Sequence, residues 1–153
     1  MHTFVIALVL VFAACQQGHD ASPPPPPPPV KHDAAPPSFS RDIAPVLAKH
    51  CTSKDCHGED PGTDFTLDMR MGSAYKQLVN VPAEMGETHL VRVRPGDPQN
   101  SMLVHKLTGR LGRKEGKRMP IDDDTGEPLN PSPLPPGFAD LVIAWIAAGA
   151  PDN

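Results

Sequence analysis

The chain has 153 residues, a formal net charge of −4 and 39% hydrophobic residues, enough for one compact domain with extensions and too few for two large cores. Only 5% of residues are aromatic and 21 are proline, so a core built from the chain's own side chains is thin and part of the chain is expected to stay extended. No long basic run and no aromatic-basic interleaving occurs, which excludes the electrostatic footprint of a nucleic-acid binder.

Residues 4–14 are continuously apolar, the length of a signal-peptide core and well short of the roughly 20 residues that span a bilayer. No Lys or Arg precedes that run, a departure from the usual charged start of such a signal. It ends in Phe12-Ala13-Ala14-Cys15, which resembles a bacterial lipobox with Phe12 in place of the usual Leu. The resemblance implies a lipid anchor at Cys15 and, with Gln16 next, sorting to the outer membrane. The alternative is a plain secretory signal with an incidental cysteine. Residues 16–37 are polar and then dominated by proline, with an unbroken run at 23–29. Such a run favours an extended helix rising about 3.1 Å per residue and suits a tether. The expected division is therefore a signal peptide at 1–14, an anchor cysteine with its Pro-rich linker at 15–37, and a folded domain at 38–153.

Within that domain the pattern predicts a first helix with Ser40 as N-cap, Asp42 in the first turn, and Ile43, Val46 and Leu47 on one face. Pro45 fits only a first turn, which shifts the expected start a few residues beyond Ser40. A second helix is predicted to begin at Ser73, with Tyr75, Leu78 and Val79 on one face and Pro82 as a stop. The third begins at Asn100 or Ser101, carries Met102, Leu103 and Leu107 as its stripe, and ends at Gly109. The fourth covers 136–148, where Phe138, Leu141, Val142, Trp145 and Ile146 follow the 3.6-residue period and Gly149 supplies a left-handed end. No segment alternates as a strand does and no repeat recurs. The expected fold class is mostly α, a small helical domain with long loops, and loops this long are uncommon unless they line a site.

The chemistry concentrates where the first helix ends. Cys51 and Cys56 are followed at once by His57, and two thiols with an adjoining imidazole can bind one haem by two thioethers and an iron ligand. Four residues separate the cysteines, where the usual attachment signature has two. Outside the cytosol such a pair does not remain as free thiols, so disulfide, metal and haem are the alternatives. A zinc site would use Cys51, Cys56, His57 and a distant histidine such as His89, but adjacent Cys56 and His57 are awkward for one tetrahedral ion.

Met119-Pro120 lies well downstream on a loop between the third and fourth helices, where a second axial ligand is needed. A thioether there favours reduced iron and raises the potential relative to two imidazoles. The plainer reading of Met119 is a core methionine. His50, His89 and His105 are rival sixth ligands, His105 being the better placed because His50 adjoins Cys51. Arg110, Arg113, Lys114, Lys117 and Arg118 form a solvated basic loop, or else a patch that steers an acidic redox partner. Asp122-Asp123-Asp124 balances it and lacks the spacing of an EF-hand.

Residues 39–150 resemble a class I cytochrome c domain of the kind found in planctomycete and myxobacterial exported proteins. The matching pieces stand in family order: Asp42-Ile43, Pro45-Val46-Leu47, Cys51, Cys56-His57-Gly58, Leu67-Asp68, Val93, Pro95-Gly96, Pro98, Ser101, Leu103, Met119-Pro120, and Trp145-Ile146 with Gly149-Ala150. The resemblance implies a periplasm-facing electron carrier with one covalent haem c, Cys51 and Cys56 as thioether positions, and His57 and Met119 as iron ligands. It implies a redox partner protein and no enzymatic activity, since both axial positions are filled and no nucleophile-base pair stands out. The alternative function is a haem-free lipoprotein of the same fold, with a Cys51–Cys56 disulfide, acting as a structural or interaction module.

Overall fold

In the computed structural model, the structure describes residues 35–53, 56–59, 66–85 and 90–153. The expected signal peptide, Cys15 and most of the linker lie outside the described residues, as does His89. Among the described residues there are four α-helices: α1 (Ala44–His50), α2 (Ala74–Leu78), α3 (Met102–Thr108) and α4 (Phe138–Ala147). A π-helical turn (Phe39–Ile43) runs directly into α1, and a 3-10 turn (Pro98–Asn100) leads into α3. Among the described residues no helix is long and apolar enough to cross a membrane.

The first helical segment starts earlier than Ser40. Ser38 is its N-cap and accepts from the Arg41 amide, while the Ala44 amide reaches back to the Phe39 carbonyl, the wider spacing of a π turn. Pro45 explains the widening. It cannot donate to the carbonyl four residues back and would crowd it in a regular helix, so the π turn comes first and Pro45 falls in the first turn of α1. The other helices follow their sequence signals more closely. α2 begins after Ser73, and α3 begins after Ser101 and ends at Gly109, whose φ of 75° is open to glycine at little cost. α4 starts after Gly137, two residues later than its periodicity suggested, and Gly149 follows it with φ 98°.

The core forms where these short elements bury their apolar faces together. Ile43 and Leu47 join Val142, Trp145 and Ile146 of α4 and Leu78 and Val93 in one cluster, and all are essentially inaccessible to solvent. Three rings cluster within it: Phe39 lies 5.2 Å from both Tyr75 and Trp145, edge-on to the first and tilted against the second. Their polar atoms are satisfied by the chain end, since Tyr75 donates to the Ala150 carbonyl at 2.8 Å and the Trp145 indole donates to that of Pro151 at 3.0 Å. Asn153 then fastens back to the start, accepting from the Phe39 amide and from Ser38 and Ser40.

Among the described residues strand-like pairing is confined to isolated bridges, among them Val79 with Val93, Pro82 with Val91, and Val91 with Ser101. They had no readable alternation because each spans a single residue pair. Their effect is positional: the amides of Met102 and Leu103 donate to the carbonyls of Val91 and Arg92, which sets where α3 begins.

Asp68 shows how a loop between these elements is held. Its carboxylate accepts from the Arg70 backbone amide and guanidinium at 2.9–3.2 Å, and those bonds pull its pKa down to about 2, against a smaller opposing effect of burial. The folded value lies below the ordinary one near 3.9, so this stabilisation is complete above about pH 4 and is lost as pH falls toward 2. Asp68→Asn should therefore flatten the acid limb of a stability profile in that window. An unchanged limb would assign the acid sensitivity elsewhere.

Candidate functional site

The site grows from the C-terminal end of α1. Cys51 is its C-cap, donating its amide to the Leu47 carbonyl at 2.8 Å, and its own carbonyl accepts from the His57 amide at 2.9 Å. That closure turns the chain so that Cys51, Cys56 and His57 face one side although residues 54 and 55, between the cysteines, lie outside the described set. The Met69 amide donates to the His57 carbonyl at 2.8 Å and fixes the returning segment.

All three residues line one cavity of about 520 Å³, and so does Met119 from the far loop. The Met119 amide is tied to the Lys106 carbonyl of α3 at 2.8 Å, and Pro120 beside it is buried. Leu47, Leu67, Leu78, Leu103 and Leu107 supply apolar wall. A volume of this size lies within the range of about 300–1,000 Å³ common to cofactor pockets, which are likewise mostly apolar with a few placed polar groups.

The electrostatics of the cavity differ from one group to the next. Burial lowers the pKa of His57, and the nearby charges of Arg92 and Lys106 add to that, while the Leu67 backbone and Glu84 oppose it. The imidazole is therefore neutral at pH 7, the form that ligates a metal. Its Nδ1 is buried with no hydrogen-bond partner. Burial, aided by the neighbouring Cys56, pushes the Cys51 thiol up to about 12. Cys56 sits nearer the rim, where its Sγ donates to Asp123 at 3.1 Å and accepts from Ser53 at 3.1 Å.

Of the residues singled out from sequence, the structure thus gathers Cys51, Cys56, His57 and Met119 around one space, with His50 also on the wall. His105 is not part of it. Both its ring nitrogens are engaged, Nδ1 with Glu115 at 2.9 Å and Nε2 with the Gln99 carbonyl at 2.8 Å. Among the described residues no group of three or more His, Cys, Asp or Glu side chains is arranged to hold a metal ion.

Sequence reasoning missed several wall residues. Met69 and Met85 line the cavity, and Met102, assigned above to an apolar helix stripe, lines it too. So do Asp122, Asp123 and Asp124, read above only as a counterweight to the basic loop. Asp123 reaches Ser53 and Cys56 across about 70 residues of chain, a contact no local pattern announces. Arg92, 6% exposed, donates to the Gln77 carbonyl and to Glu84, so its charge is neutralised inside the wall.

No family model, no curated protein and no solved structure matches the chain.

Proposed function

We propose that this chain is an exported c-type cytochrome that carries single electrons through one covalently attached haem. The observation that carries the reading is the convergence of Cys51, Cys56, His57 and Met119 on one largely apolar cavity of about 520 Å³. The residues present fit the group. Cys51 and Cys56 would hold it by thioethers, and His57, buried and neutral, would ligate iron together with Met119. When bound, the haem supplies one-electron chemistry at a potential raised by the thioether ligand. The chain's own contribution is to exclude water with its leucine wall and to offer His57 and Met119 as the groups that would hold the iron, which would leave no open position for a substrate. Electrons would pass to a redox partner protein.

The export signal and the anchor at Cys15 rest on the sequence pattern alone, and the anchor would hold the domain at the periplasmic face of the outer membrane. Growth with labelled fatty acid reads this directly, and an unlabelled product would leave the chain simply secreted.

Met119 gives the test of the site. A thioether bound to ferric haem produces a weak far-red charge-transfer band, so Met119→Ala should abolish the band and lower the reduction potential. Met71 is the control, because it is 62% exposed and is not on the cavity wall. Met102 is a poorer control, since its side chain shares the cavity. If Met119→Ala keeps the band, another wall methionine is the ligand, and if the unaltered protein shows no such band the thioether assignment is wrong.

A further inference from the structure

α3 holds the loop ahead of Met119 through polar contacts from His105 and Lys106. Glu115 is a carboxylate only 5% exposed in a loop whose neighbours Arg113, Lys114, Gly116 and Lys117 are all exposed. A buried charge is costly unless it is paired and hydrogen-bonded, and here it is both. His105 Nδ1 meets its Oε2 at 2.9 Å. Lys106, one residue on in α3, donates its ammonium to the Glu115 carbonyl and, at 3.3 Å, to that of Lys117. Burial would raise the Glu115 pKa, but the Gly112 amide, His105 and Lys106 together hold it below the usual carboxylate range. A Cβ at Gly112 would lie 2.8 Å from Glu115 Oε1, so a side chain there would have to displace that carboxylate.

The same α3 residue then positions the next link, because the Lys106 carbonyl accepts the Met119 amide at 2.8 Å. Lys106 thus grips the loop through its side chain at 115 and 117 and through its backbone at 119. Arg118, just ahead of Met119, donates instead to the Leu129 carbonyl.

We propose that Glu115, clamped by His105 and Lys106, is the positioning residue that fixes Met119 against the cavity. The proposal rests on the reading of Met119 as an iron ligand, and it adds why a methionine on a long loop can stay in place. The loop's basic residues are then carried by a buried acidic anchor, and its presentation of sulfur depends on α3 rather than on the loop's own conformation.

The test uses the full-length haem-loaded protein with Glu115→Ala, Glu115→Gln and, as control, the exposed Arg113→Ala. Hydrogen exchange at the Met119 amide and the far-red band are read together with haem content. Glu115→Ala should leave haem content unchanged, weaken the band, and speed exchange at Met119 about ten- to a hundredfold, the effect of removing one buried charge-assisted hydrogen bond. Glu115→Gln keeps the acceptor but not the charge, so its effect should be intermediate and it serves if the alanine variant does not fold. Arg113→Ala should change nothing. Unaltered exchange and an unaltered band in both Glu115 variants overturn the proposal. Faster exchange at Met119 in a chain that binds no haem upholds the clamp and removes the haem reading instead.

Discussion

A protein carrying Cys51→Ala and Cys56→Ala together is expected to lose all haem when it is denatured, whereas the unaltered chain should keep it. The expectation follows from the cavity, which both side chains line, and from the chemistry of a thioether, which survives unfolding while an iron–histidine bond does not. Each single variant retains one thiol and should stay covalently loaded. The two need not load equally well: Cys51 is packed against the core and its thiol is held strongly protonated, whereas Cys56 lies by the rim in contact with Ser53 and Asp123. Haem staining after denaturing electrophoresis reads all four proteins. Retention in the double variant would mean that the attachment lies elsewhere.

Trp145→Ala should cost about 3–5 kcal/mol, the usual penalty for emptying a large aromatic site in a core. Trp145 is fully buried, stacks near Phe39 and Tyr75, and donates its indole N–H to the Pro151 carbonyl. Its loss would leave a void at the point where the π turn, α2 and α4 meet and would also free the chain end. Against a total stability of about 5–15 kcal/mol, that is a large fraction. A denaturant titration should show the midpoint falling sharply with an unchanged slope. A cost below about 1 kcal/mol would mean that the aromatic cluster is not the centre of the core.

α4 was legible because its apolar residues recur at helical spacing over more than two turns, and α2 and α3 because a serine precedes each and a glycine closes the latter. The start at Phe39 was not, because Pro45 argues for a later start unless a π turn is allowed, and such turns leave no residue pattern. The isolated bridges escaped for the same kind of reason: single pairs set by hydrogen bonds to α3 need no alternation. At the site, Cys51, Cys56, His57 and Met119 were visible from residue type and order, and the structure places them around one cavity. Two pairings left no mark in the sequence. Asp123 to Cys56 joins distant loops, and no local pattern singles out Glu115, whose carboxylate meets His105 and whose carbonyl accepts from Lys106.

The intact mass of the full chain, purified under denaturing conditions from cells that express a c-type maturation system, decides whether haem is covalently attached. The expected product is a coloured protein whose mass, after allowance for processing at the N-terminus, exceeds that of the polypeptide by one haem. A colourless protein lighter than the polypeptide by two hydrogens would contradict it, and would show that Cys51 and Cys56 are joined to each other instead.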